Sequence, residues 1–178
     1  MIIGAGGASK SISLLFGEQG NHLKIINRTA EKAERLAEEI IEKTGNHNVF
    51  GGGFESGWDD LKNADVIIQT TELGMGKYED VSVFDALPLL KRNMAEGKTK
   101  NEYIQECLSG KTVFDIVYTP KETKFLREAK AAANVTTLNG VMMLVFQGAL
   151  AFEIWTGEKP DIDVMKEAVL NALLEKER

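Results

Sequence analysis

Two groups of residues near the start of the chain have the types and spacing that phosphate chemistry needs. The first is Gly4-Ala5-Gly6-Gly7-Ala8-Ser9-Lys10, directly after the apolar pair Ile2-Ile3. Gly4 lets a strand turn sharply, and Gly6 lets the backbone come close to a ligand. The small Ser9 stands where a third glycine often packs a helix onto its strand. Free N–H groups in such a turn, together with the positive end of the helix that follows, make an anion site. The second group, about 20 residues on, is Asn27-Arg28-Thr29 with Lys32, and no carboxylate stands at this place before Glu31. A dinucleotide links a pyrophosphate at the turn to a ribose at this second position. An NAD site places an acid there for the ribose hydroxyls. Here Arg28 can lie against an adenine and face a 2′-phosphate, Thr29 can donate from its hydroxyl and backbone, and Lys32 adds a second positive charge. The expectation is an NADP site. The bland alternatives are a ligand-free tight turn, and a Thr29 that only caps a helix beside two solvated cations.

The elements that must position these residues follow from periodicity. Ile12, Leu15 and Phe16 have helical spacing, Gly20 is a stop, and His22 to Ile26 reads as a second strand, which completes a βαβ unit of the right length. Thr29 is a good N-cap for a helix whose Ala33, Leu36, Ala37, Ile40 and Ile41 form one apolar stripe. A Glu31–Arg35 pair supports it and Gly45 closes it. Asn48 to Phe50 reads as a short strand, Gly51 to Gly53 as a flexible turn, Trp58 to Lys62 as a helical turn, and Val66 to Gln69 as a buried parallel strand. Residues 81–110 have a helical pattern interrupted by Pro88 and Gly97. Thr112 to Tyr118 and Val135 to Leu138 read as strands, with a helix burying Phe125, Leu126 and Ala129 between them. Asn139-Gly140 is a turn into a buried helix, Val141 to Trp155, apolar on nearly every side. Pro160-Asp161 opens a last helix carrying Ile162, Met165, Val169 and Leu173. Strands alternating with helices imply a doubly wound α/β fold with a parallel sheet, a Rossmann fold in one domain spanning residues 1–178.

Composition narrows the partners. With 178 residues and a net charge of −6, the chain lacks the basic density of a nucleic-acid surface. No export signal precedes the first strand, and the longest uncharged stretch, Val135 to Phe152, carries threonine, asparagine, glutamine and glycine, so no membrane span is expected and a cytoplasmic location is. The single cysteine, Cys107, sits among Tyr103, Ile104 and Leu108 and reads as a buried structural thiol.

Three motifs resemble a known family, the shikimate dehydrogenases and their quinate-using relatives, in their C-terminal NADP-binding domain. They are the glycine turn, the segment Asn27-Arg28-Thr29-Ala30-Glu31-Lys32, and the series Phe114 to Pro120, Asn139 to Ala149 and Phe152 to Gly157. The resemblance implies that Thr71, Ile116 and Gly140 meet the cofactor, that Met143 packs beside the nicotinamide ring, and that Tyr118 and Gln147 reach the substrate. Met143 could instead be core, and Tyr118 a loop anchor. Gln147, between Val145, Phe146, Ala149 and Leu150, is expected to be buried, where an unpaired amide costs roughly 1 to 3 kcal/mol. Gln69 and Glu72 stand where the family has an asparagine and a proline, and Phe146 where a histidine is frequent. The resemblance further implies NADPH-dependent reduction of 3-dehydroshikimate to shikimate in aromatic amino-acid biosynthesis. It puts the catalytic lysine and aspartate in an N-terminal catalytic domain missing before Met1, so no residue here is expected to be catalytic. A non-catalytic NADP-binding module is the alternative. A methylene-tetrahydropterin dehydrogenase ranks lower because it would not carry the Gly140 to Gln147 series. The apolar helix suggests a homodimer, and preference between shikimate and quinate is not legible.

Overall fold

The central strand is only two residues long, yet it fixes the molecule. In the computed structural model, which describes residues 1–55, 58–86, 97 and 99–176, β1 (Ile2–Ile3) lies between β2 (Leu23–Asn27) and β4 (Val66–Gln69). Its isoleucines pair with Ile25 and Ile26 on one side and Ile68 and Gln69 on the other. With β3 (Val49–Gly53), β5 (Thr112–Asp115) and β6 (Thr136–Leu138) the order is β3-β2-β1-β4-β5-β6, all parallel. This is the doubly wound Rossmann order. Strand order reverses between β1 and β4, and ligands of such sheets bind in the crevice at the carboxyl ends there.

Helices α1 (Gly7–Glu18) and α2 (Ala30–Thr44) cover one face, with Leu23, Ile25, Ala33, Leu36, Ile40 and Val49 packed between α2 and the sheet. The other face buries Ile3, Ile26, Ile67, Val113, Phe84 and Phe125 beneath α3 (Trp58–Asn63), α4 (Val83–Ala86), α5 (Lys100–Leu108) and α6 (Lys124–Ala129). Lys100 and Lys124 tie the last three together through Asp85 and Glu128. Cys107 is buried, and burial pushes its thiol pKa up, as expected of a structural cysteine. Helix α7 (Val141–Thr156) packs on α8 (Ile162–Lys176), whose Asp161 carboxylate accepts from the amides of Asp163 and Val164. No helix among the described residues is long and apolar enough to cross a membrane.

Four expectations need correction. The triple glycine is strand rather than turn, because β3 runs beneath α2: a Cβ on Gly51 would stand 2.3 Å from the Ala33 carbonyl oxygen and 2.5 Å from Glu34 Cα. Strand β5 ends at Asp115, three residues early, where the carboxylate draws the Val117 amide out of sheet pairing at 3.0 Å. The Glu31–Arg35 pair does not form. Helix α7 is not buried: only Val141, Val145 and Ala149 face inward, while Phe146, Leu150, Ile154 and Trp155 are exposed. Pro88 and the rest of 87–96 lie outside the described residues; of the 81–110 pattern, α4 and α5 are helical.

Candidate functional site

The chain leaves β1 at Gly4 with φ +115°, and a Cβ there would lie 2.4 Å from Thr70 Oγ1, so only glycine fits. The Gly4 amide donates to the Ile26 carbonyl at 2.7 Å, and its carbonyl accepts from the buried Ser9 hydroxyl at 2.7 Å. Ser9 thus packs α1 close to the strand and satisfies the turn as well. Gly6, the N-cap of α1, has φ −96° and ψ −168°, and a Cβ on it would meet nothing within 4 Å. No side chain caps the helix, and Lys10 is the first residue whose amide returns to the turn, at Gly6. The amides of Gly7, Ala8 and Ser9 are left for an outside acceptor.

At the end of β2 the Asn27 side-chain amide donates to the Thr29 carbonyl at 3.0 Å, and the Lys32 amide reaches the same oxygen at 3.2 Å. Thr29 is the N-cap of α2, but its hydroxyl makes no cap bond. The expected side-chain cap is therefore absent, and the hydroxyl stays available beside the exposed Arg28 and Lys32. One cleft of about 380 Å³ collects these residues: Gly4, Ala5 and Gly6 on one wall, Asn27, Arg28, Thr29 and Lys32 on another, and Thr70, Thr71 and Glu72 on a third. An adjoining recess of about 320 Å³ holds Gly6, Gly7, Lys10, Lys32 and Arg35. Glu39 in that recess is committed to Lys10 and Lys43, each at 2.7 Å, and their hydrogen bonds hold its carboxyl below the usual range.

Sequence reasoning missed the polar cluster at the ends of β4 and β5. Gln69, Asp115 and Thr123 are all fully buried. Burial pushes the Asp115 pKa up to about 6, partly opposed by hydrogen bonds from the Thr123 hydroxyl and the Val117 amide. The available signal was an ionisable residue inside the apolar run Val113 to Val117.

Beyond β5, Ile116 and Gly140 touch through their backbones. The Gly140 amide donates to the Val117 carbonyl at 3.1 Å, and a Cβ on Gly140 would overlap the Ile116 oxygen at 1.8 Å. Met143 lines a separate, broad hollow of about 1210 Å³ along the sheet with Phe114, Pro120 and Phe146, rather than the cleft that holds the glycine turn. Tyr118 is exposed. Gln147 is exposed too, contrary to expectation: its apolar neighbours in sequence lie on a helix packed along one stripe only, so its amide needs no protein partner.

Residues 1–75 match the family described as shikimate / quinate 5-dehydrogenase, and residues 140–170 the shikimate 5′-dehydrogenase C-terminal domain. A shikimate dehydrogenase (NADP(+)) from Methanosarcina mazei is 39% identical over 173 residues, 97% of this chain and 55% of that protein. A solved shikimate dehydrogenase in complex with NADP+ has a TM-score of 0.77 and 39% identity, covering 97% of this chain and 53% of that one. A shikimate 5-dehydrogenase of Thermus thermophilus, solved with NADP(H) and shikimate, gives 0.71 and 31%, with 97% and 54% covered. The chain spans about half the length of the curated relatives it matches.

Proposed function

We propose that this chain, whose sequence places it with the shikimate and quinate dehydrogenases, is the half of such an enzyme that seats NADP beside the substrate. The observation that carries the reading is the single cleft in which an uncapped glycine turn meets Arg28, Thr29 and Lys32 with no acid at the end of β2. The fit of the group rests on the space above Gly6, which a side chain would fill, and on the unpaired amides that open α1.

Each part has a task that its chemistry suits. The amides of Gly7 and Ala8 receive the pyrophosphate at the positive end of α1. Arg28, Thr29 and Lys32 bind the 2′-phosphate by charge-assisted hydrogen bonds, while Asn27 fixes the Thr29 carbonyl and so the shape of that loop. Thr71, Ile116 and Gly140 border the nicotinamide half with main-chain groups, since β4 and β5 lie on the side of β1 away from the 2′-phosphate. Tyr118 and Gln147 face the substrate side, where their exposure leaves them free to pair with a ligand or with the rest of the enzyme, and Met143 is left to border the nicotinamide ring. When bound, NADPH supplies the hydride that reduces the ring carbonyl of 3-dehydroshikimate to shikimate. Proton transfer belongs to a lysine and an aspartate in an N-terminal catalytic domain outside this chain.

Calorimetric titration of the chain with NADP+ and NAD+, followed by an assay with shikimate, tests the reading. The expected result is tighter NADP+ binding by at least tenfold and negligible turnover by the chain alone. Equal affinity for the two cofactors would sink the assignment of Arg28 and Lys32. Turnover would mean that catalytic groups lie within these residues.

A further inference from the structure

We infer that Gln69, held by Asp115 and Thr123, is a positioning residue that shapes the nicotinamide side of the cofactor cleft. This rests on the NADP reading above and extends it to residues that the cofactor does not touch. Gln69 is the last residue of β4, at the point where strand order reverses, and its main chain sits between β1 and β5, opposite Ile3 and Asp115. Its side chain then turns to the loop that follows. The oxygen accepts the Thr71 amide, and the amide nitrogen reaches the carbonyls of Leu73 at 2.9 Å and Thr71 at 3.3 Å. A glutamine has one methylene more than an asparagine, and that reach lets it span the loop from Thr71 to Leu73.

The same nitrogen lies 3.3 Å from Asp115 Oδ1, which also accepts the Val117 amide at 3.0 Å, while Asp115 Oδ2 accepts the Thr123 hydroxyl at 2.6 Å. Asp115 therefore ties the loop after β4 to the segment after β5, where Ile116 meets Gly140. The main chain repeats the link, because the Ile116 amide donates to the Gln69 carbonyl at 3.1 Å. Thr123 closes the cluster on its far side: a Cβ on Gly74, at φ +90°, would come within 2.9 Å of Thr123 Cβ, so the loop is packed as well as bonded. All three side chains are fully buried, and the groups that bond the carboxylate are neutral. A buried carboxylate without a counter-ion is costly to keep. Here it holds two loops that no strand pairing holds.

The adenosine side of the cleft depends on none of these bonds, since Asn27, Arg28, Thr29 and Lys32 belong to β2, α2 and the turn between them. A ligand that fills only that side separates positioning from general damage. The experiment measures NADP+ and 2′,5′-ADP affinity for the chain and for Gln69→Leu, with Thr123→Val as a milder second variant and Asp115→Asn as the conservative control. Gln69→Leu should weaken NADP+ at least tenfold and leave 2′,5′-ADP within twofold, and Thr123→Val should shift the same ratio severalfold. Asp115→Asn keeps an oxygen toward Gln69 and Val117, so it should hold the ratio within about threefold. Equal losses for both ligands, or unchanged NADP+ affinity in both Gln69→Leu and Thr123→Val, would overturn the inference. If the unaltered chain binds neither ligand, it is the NADP reading that fails.

Discussion

Gly6→Ala separates a glycine kept for a ligand from one kept for the fold. Gly6 has φ −96°, a conformation that any residue adopts, and its missing Cβ would point into open space. The fold therefore gains from the change: replacing glycine where alanine fits stabilises by roughly 0.4 to 1 kcal/mol through the unfolded chain. For a domain of this size that raises Tm by about 1 to 4 °C. A pyrophosphate on the α1 amides would meet the new methyl, and losing one charge-assisted hydrogen bond costs roughly 1.5 to 3 kcal/mol. NADP+ affinity should fall about 10- to 100-fold. Thermal melts and calorimetry on the same preparation read both effects. A variant that melts higher and still binds NADP+ like the original would refute the placement of the pyrophosphate. One that melts many degrees lower would show that Gly6 serves the fold.

Other changes probe the remaining parts. Arg28→Glu removes a phosphate contact and adds repulsion, so NADP+ binding should weaken at least tenfold, by roughly 1.5 to 3 kcal/mol, while NAD+ binding stays within threefold; titration with both cofactors checks it. Gly51→Ala pushes a methyl into the α2 backbone at Ala33 and should destabilise by about 1 to 3 kcal/mol, read as a lower midpoint in urea. Asp115 gives stability a pH dependence of definite sign. Its pKa is raised on folding from 3.8 to about 6, so the folded chain binds the proton more tightly than the unfolded one. Its contribution is fully present below pH 3.8 and is lost as pH rises through about 6, an effect of about 3 kcal/mol. Urea unfolding between pH 4 and 7 should show this loss in the original chain and not in Asp115→Asn; parallel profiles would contradict it.

Much of this was legible because it is local. The glycine turn, the apolar spacing of α1 and α2, and the short apolar strands report a βαβ unit through neighbours in sequence, and the residues proposed to bind phosphate lie within it or directly after it. What escaped is decided across the fold. Gly51 to Gly53 have the composition of a turn, and only their pairing with β2, with the α2 backbone close over Gly51, makes them strand. Gln147 has apolar neighbours along the chain, yet α7 packs on one stripe, which no short stretch of sequence discloses. Thr29 is the N-cap its residue type suggests, but its carbonyl, not its hydroxyl, makes the local bonds. The Gln69–Asp115–Thr123 cluster joins positions 46 and 8 residues apart in sequence, and it exists only once β4 and β5 are paired.

We propose that one cleft seats the whole adenosine-to-pyrophosphate length of NADP. A crystal structure of the chain with NADP+ tests it most directly. The 2′-phosphate should lie within hydrogen-bond distance of Arg28, Thr29 and Lys32, and the pyrophosphate on the Gly7 and Ala8 amides. A cofactor bound elsewhere, or one whose 2′-phosphate points to solvent away from Arg28, would contradict it.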